Sequence, residues 1–201
     1  MFNKKKGNSK APAGDIIVVS GLPRSGTSMM MKMLAEGGLE IVTDAIRAAD
    51  DDNPNGYFEL EAVKALSGGA GAWLETARGK AVKIISALLE HLPGAYRYRV
   101  IFMERSLPEV LASQKKMLAN RDEQSATADE TMQAEFRKHL DAVKYWLARQ
   151  PNIRVLYVDY KQMLASPEAA SRAVVDFTGL PLDVAKMQGV PNQALYRNRS
   201  A

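Results

Sequence analysis

The residues of Gly21–Ser28, read Gly-Leu-Pro-Arg-Ser-Gly-Thr-Ser, have the types and spacing to hold an anion. Gly21 and Gly26 bound a short loop, and an apolar β-branched run, Ile16–Ser20, enters it. The layout is that of the phosphate-cradling pattern G-x-x-x-x-G-K-[ST] with one substitution. Thr27 stands in the lysine position, and a cation appears three residues earlier as Arg24. Glycines let backbone N–H groups approach an anion, and a helix starting near Thr27 adds its positive dipole end. Pro23, Ser25 and Gly26 shape that cradle, Thr27 and Ser28 offer hydroxyls, and Arg24 offers a forked donor. The plain alternative is a glycine turn joining a strand to a helix.

A second group lies downstream. Arg105 ends a β-like run, and Ser113 follows eight residues later on a helical pattern. An arginine at a strand's carboxyl end, beside a helix N-terminus, can grip a phosphate bidentately. The alternative is a capped surface helix with an ordinary ion pair. Lys83 sits in the run Ala81–Ile85, and Glu59 follows the aromatic pair Tyr57-Phe58, with Glu61 as its near rival. Asp159 ends another strand and keeps a metal-holding role open. His91 reads as a surface or capping residue, and His139 as a structural residue on a helix. The tail segment Leu195–Arg199 is basic and aromatic.

These residues need elements to position them. Ile16–Ser20, Ala81–Ile85, Tyr98–Glu104 and Ile153–Asp159 read as strands, with Leu39–Val42 as a weaker fifth. Ser28–Glu36, Leu107–Leu118 and Pro167–Phe177 read as helices. Ser106 and Glu109 stand at capping-box spacing before the second, and Ser166 reads as the N-cap of the third. Met132, Phe136, Leu140, Val143 and Leu147 recur every three or four residues and mark a long amphipathic helix. Strands alternating with helices predict an α/β fold, a three-layer sandwich with a central parallel sheet of about five strands, akin to the P-loop NTPases. Ligands are then expected beyond the carboxyl ends of the strands. Residues 43–80 and 119–130 are irregular in pattern and read as segments over a site.

The bulk properties bound the possibilities. The chain has 201 residues, 46% hydrophobic and 25% charged, enough for one domain with a sizeable core. Its net charge of +4 resides in Lys4, Lys5, Lys6 and Lys10, and the remaining 23 basic residues balance 23 acidic ones. Residues 1–14 therefore read as a disordered basic tail, and 15–201 as a single domain. That tail lacks the apolar core of a signal peptide, and no run reaches transmembrane length. Cysteine is absent, which excludes thiol catalysis and disulfides and agrees with a cytoplasmic location.

With both motifs in place, the chain resembles the sulfotransferases, which move a sulfuryl group from 3′-phosphoadenosine 5′-phosphosulfate (PAPS) to an acceptor hydroxyl or amine. Gly-Leu-Pro-Arg-Ser-Gly-Thr-Ser resembles their phosphosulfate-binding loop, where a Lys or Arg stands at the position of Arg24. Arg105 to Ser113 resembles their second signature, whose Arg and Ser hold the 3′-phosphate. Asn53–Glu59 resembles a segment of many bacterial members, and Val82–Ile85 the strand that delivers a lysine toward the sulfate. Ile153–Tyr160 with Phe177–Leu180 resembles the C-terminal part of the family fold. The similarity spans roughly residues 15–182.

The resemblance implies PAPS as donor, adenosine 3′,5′-bisphosphate (PAP) as product, and no required metal. It implies Arg24 and Lys83 as charge-neutralising residues, and Arg197 or Arg199 closing the nucleotide site with Tyr196 near the base. The histidine that many cytosolic members place two residues after the strand lysine is Ile85 here. Other branches use a glutamate, which points to Glu59 as general base. The expected partner is a small-molecule, glycan or lipid acceptor, not a nucleic acid. Two alternatives stay open: a P-loop kinase or NTPase, and a non-catalytic nucleotide-binding protein of sulfotransferase type.

Overall fold

A run of β-branched residues buried on both faces must sit inside a parallel sheet, and Ile16–Gly21 (β1) is buried along its whole length. The computed structural model describes residues 14–44, 56–120 and 128–191. Within them, β1 is the middle strand of a five-stranded parallel sheet. The other strands are Ile41–Val42 (β2), Ala81–Lys83 (β3), Tyr98–Glu104 (β4) and Ile153–Asp159 (β5), in the order β2-β3-β1-β4-β5. Val19 is level with Lys83 on one side and Ile101 on the other. The expected five strands are therefore present. β3 is shorter than its apolar run, because pairing ends at Lys83, although Ile84 still donates to the Val19 carbonyl at 3.0 Å.

Side chains alternate across the sheet and build two cores. On one face, Ile17, Val19 and Ile101 pack against four methionines of Thr27–Glu36 (α1), with Met163, Val174 and Met187. Those last three come from Tyr160–Ala165 (α4), Pro167–Thr178 (α5) and Val184–Gln188 (α6). On the other face, Ile16, Val18, Val100 and Phe102 pack against three short 3-10 helices, Glu61–Gly68, Ala72–Ala77 and Ser86–His91, and against Leu147 of Asp129–Leu147 (α3). Leu107–Ala119 (α2) packs on α3. The result is the expected three layers.

Several local expectations change. Residues 56–80, read as irregular, contain two of the 3-10 helices. Tyr57 is buried, Phe58 packs on the first core and Trp73 on the second, so these aromatics serve as core. Neither Ser106 nor Ser166 makes a side-chain cap hydrogen bond. The carboxylate of Glu109 is drawn to Arg105 instead, four residues before it on the opening turn. Asp159, left open as a metal residue, accepts from the Gln162 N–H at 2.7 Å and caps α4. Among the described residues, no helix is long and apolar enough to cross a membrane.

Candidate functional site

The chain departs β1 on one side toward β2 and β3 and on the other toward β4, so the order reverses at the carboxyl end of β1, where such sheets bind ligands. The loop Gly21–Gly26 occupies that place. Gly21 and Gly26 hold φ angles of +146° and +101°, and Gly26 is the N-cap of α1. A Cβ at Gly21 would lie 2.7 Å from the Met103 carbonyl oxygen, and one at Gly26 2.5 Å from the Tyr160 ring. Only glycine fits either position. Arg24 also adopts a left-handed backbone, φ +69°, which costs a non-glycine residue energy that the surroundings must supply.

The surroundings supply it through two bonds. Arg105 Nη1 donates to the Arg24 carbonyl at 3.1 Å, and Arg24 Nε donates to Ser113 Oγ at 3.0 Å. Three residues separated by up to 89 positions thus meet at one point. Arg105 is itself anchored: Nε donates to Glu109 at 3.0 Å, with side-chain exposures of only 8% and 4%. Its guanidinium also lies 4.5 Å above the centre of the Tyr160 ring. Burial raises the Tyr160 pKa above the ordinary phenol value, so the ring under that arginine stays neutral.

The strand lysine arrives from the other side. Lys83 Nζ donates to Ser28 Oγ at 3.3 Å and to the Tyr57 carbonyl at 2.9 Å. It therefore bridges the start of α1 and the segment bearing Phe58 and Glu59. That segment is fixed through its backbone, since the Glu59 carbonyl accepts from Thr43 Oγ1 at 2.7 Å and from the Asp44 N–H at 3.2 Å. Phe58 sits at φ +50°, a second strained residue beside the site. The Glu59 side chain is exposed.

The sequence-predicted residues thus divide. Arg24, Ser28, Lys83, Arg105 and Ser113 come together around the loop. Pro23 is exposed at its tip and Thr27 is buried at the head of α1. Ser25 is turned inward, its hydroxyl donating to the Leu22 carbonyl at 2.7 Å, so it tightens the loop. Arg197, Arg199 and Tyr196 lie outside the described residues, as do the tail 1–13 and the acidic stretch 50–55. Glu109, expected only in a capping box, and Tyr160 were not anticipated as part of the site, although the four-residue spacing from Arg105 to Glu109 was visible. His139 was expected to be structural. Its Nε2 lies 2.8 Å from Ser86 Oγ, just past the carboxyl end of β3.

Three cations, two hydroxyls and a glycine-bounded loop at a helix N-terminus form a site suited to a multiply charged anion. No group of three or more His, Cys, Asp or Glu side chains among the described residues is placed to hold a metal ion.

Residues 57–184 match the model of the sulfotransferase family. The matched span holds Lys83, Arg105 and Ser113 but begins after the loop. Among solved structures, the sulfotransferase domain of the Synechococcus PCC 7002 olefin synthase shares 14% identity at TM-score 0.53, over 100% of this chain and 87% of that one. The sulfotransferase domain of the curacin biosynthetic pathway shares 13% at TM-score 0.53, over 87% and 76%. Mouse sulfotransferase SULT7A1 complexed with PAP shares 14% at TM-score 0.50, over 92% and 65%. At such identities the likeness is one of fold. A sequence comparison with curated proteins finds no significant match.

Proposed function

The chain belongs to the sulfotransferase family, and from that premise we propose that it moves a sulfuryl group from PAPS to an acceptor hydroxyl or amine. The observation that carries the reading is the meeting of Arg24, Ser113 and Arg105 at one loop, with Lys83 reaching its helix from the next strand. PAPS supplies an activated sulfuryl group on a 5′-phosphate together with a 3′-phosphate as a handle. The donor set suits such a molecule, since three cations can be shared between two separated anionic groups.

In this reading the loop N–H groups and the N-terminus of α1 hold the 5′-phosphosulfate, with Gly26, Thr27 and Ser28 as the nearest donors. Pro23 and Ser25 set the shape of the loop. Arg105 and Ser113 hold the 3′-phosphate, with Arg197 a candidate to close over it. Arg24 and Lys83 neutralise the negative charge that grows on the bridging oxygen in a loose transition state. Removing one such donor costs ~10²–10³ in rate. A sulfuryl group carries less charge than a phosphoryl group, so these side chains suffice without a divalent ion. The acceptor is a small molecule, glycan or lipid, approached in the cytoplasm by residues 15–201 acting as one domain.

Titration calorimetry tests the reading directly. Tight binding of PAP in the presence of a chelator, weakened at least tenfold by Arg105→Ala, is the expected result. Preference for magnesium-ATP over PAP would replace the reading with that of a nucleotide kinase.

A further inference from the structure

Transfer to a hydroxyl needs a group that takes the acceptor's proton, and the structure offers a pair built for it. Ser86 lies three residues beyond Lys83 on the same segment and is 3% exposed. Its hydroxyl faces Nε2 of His139 at 2.8 Å across 53 positions of chain. His139 is half-buried, and Ser86 is its sole polar partner among the described residues, so Nδ1 is unengaged there.

The placement is at the carboxyl edge of the sheet. Lys144 of α3 pairs with Glu104, the last residue of β4, and lies 5.5 Å from the Tyr157 ring centre of β5. His139 is five residues earlier, about 7.5 Å further along the axis, beyond the strand ends. Ser20 closes the same face. It follows Ile16 and Val18 in the strand alternation, and its hydroxyl is fully buried without a hydrogen-bond partner among the described residues. A buried hydroxyl seldom goes unpaired unless a ligand or water completes it.

We infer that His139, oriented by Ser86, is the proton acceptor of the reaction, with Ser20 at the carboxyl end of β1 on the same face of the sheet. The inference rests on the sulfuryl-transfer reading. In the tautomer the reaction needs, Nε2–H donates to Ser86 Oγ and the Nδ1 lone pair is left for chemistry. The acceptor O–H bond breaks and its proton passes to Nδ1. The acceptor oxygen bonds to sulfur as the bond from sulfur to the 5′-phosphate oxygen breaks. That electron pair leaves on the phosphate, beside Arg24 and Lys83. His139 is then the catalytic residue and Ser86 a positioning residue. Glu59 is the competing proton acceptor.

The experiment uses full-length protein, PAPS as donor, and water or a simple alcohol as acceptor, with PAP affinity measured in parallel. His139→Gln is expected to lower kcat by about 10²–10⁴ with PAP affinity unchanged. Added imidazole restores turnover to His139→Ala, and Ser86→Ala lowers kcat without moving the KM for PAPS. A purely structural histidine would give no imidazole rescue, and that result overturns the inference. So does full activity in His139→Gln beside an inactive Glu59→Gln. Failure of the wild type to bind PAP removes the donor reading and this inference with it. A wild type that binds and turns over beside an unimpaired His139→Gln removes this inference alone.

Discussion

A guanidinium withdrawn from water needs a counter-charge, and Glu109 provides it for Arg105. The pair is nearly inaccessible to water, so removing one partner leaves an uncompensated charge. Breaking such a pair costs about 3–5 kcal/mol, far more than a surface ion pair. Glu109→Ala should therefore lower the melting temperature by several degrees and weaken PAP binding as the guanidinium loses its orientation. Glu109→Gln keeps one acceptor for Nε and should fall between the two. Equal PAP affinity in wild type and Glu109→Ala would show that Tyr160 and the Arg24 carbonyl hold Arg105 unaided. The sequence placed Glu109 correctly in space but assigned it the wrong partner. Its spacing suits a capping box with Ser106 and an i,i+4 pair with Arg105 equally well. Burial decides between them, because an arginine withdrawn from water outbids a backbone N–H that water can reach.

Elements were legible where their signals were local and strong. The strands β1, β4 and β5 are continuous apolar runs, and α1 and α2 follow them with clear starts. Less visible was α4, because Tyr160 continues directly from β5 and only the cap by Asp159 separates strand from helix. That missed helix matters, since it carries the ring under both Gly26 and Arg105. The β1–α1 turn is thus built from two distant elements pressed together. Gly26→Ala would put a methyl group into the Tyr160 ring and hold alanine at φ +101°. The backbone strain alone is about 1–3 kcal/mol. Urea unfolding should show at least that loss, and calorimetry a marked loss of PAP affinity. Gly38→Ala is the control, because its φ of +96° carries comparable strain while a Cβ there meets nothing within 4 Å. If the two variants behave alike, strain explains the effect and the contact with Tyr160 does not.

At the scale of the whole molecule, each of the two cores holds a buried tyrosine through which it responds to pH. The face carrying α3 and the 3-10 helices closes over Tyr98, which is 1% exposed and donates to the Pro93 carbonyl at 3.0 Å. The opposite face closes over Tyr160. Burial raises the pKa of both phenols, with neighbouring Tyr96 adding to the rise at Tyr98 and Arg105 opposing it at Tyr160. A raised folded-state pKa means that above about pH 10 the unfolded chain releases these protons while the folded chain keeps them. The unfolded state then binds fewer protons, so stability is fully present below pH 10 and falls as pH rises beyond it. Each such tyrosine contributes a slope of about 1.4 kcal/mol per pH unit in that range. Tyr98→Phe should cost about 1 kcal/mol near neutrality, from the lost hydrogen bond, and flatten the alkaline slope by one proton. Urea midpoints between pH 8 and 11 measure both effects. An unchanged slope in Tyr98→Phe would mean that the hydroxyl titrates as freely folded as unfolded, and that the core beneath β4 admits water. The same experiment bears on the site, because Tyr160 joins α4, the loop glycine and Arg105. If PAP binding is lost on the same alkaline limb as stability, the Gly21–Gly26 loop and the first core unfold as one unit.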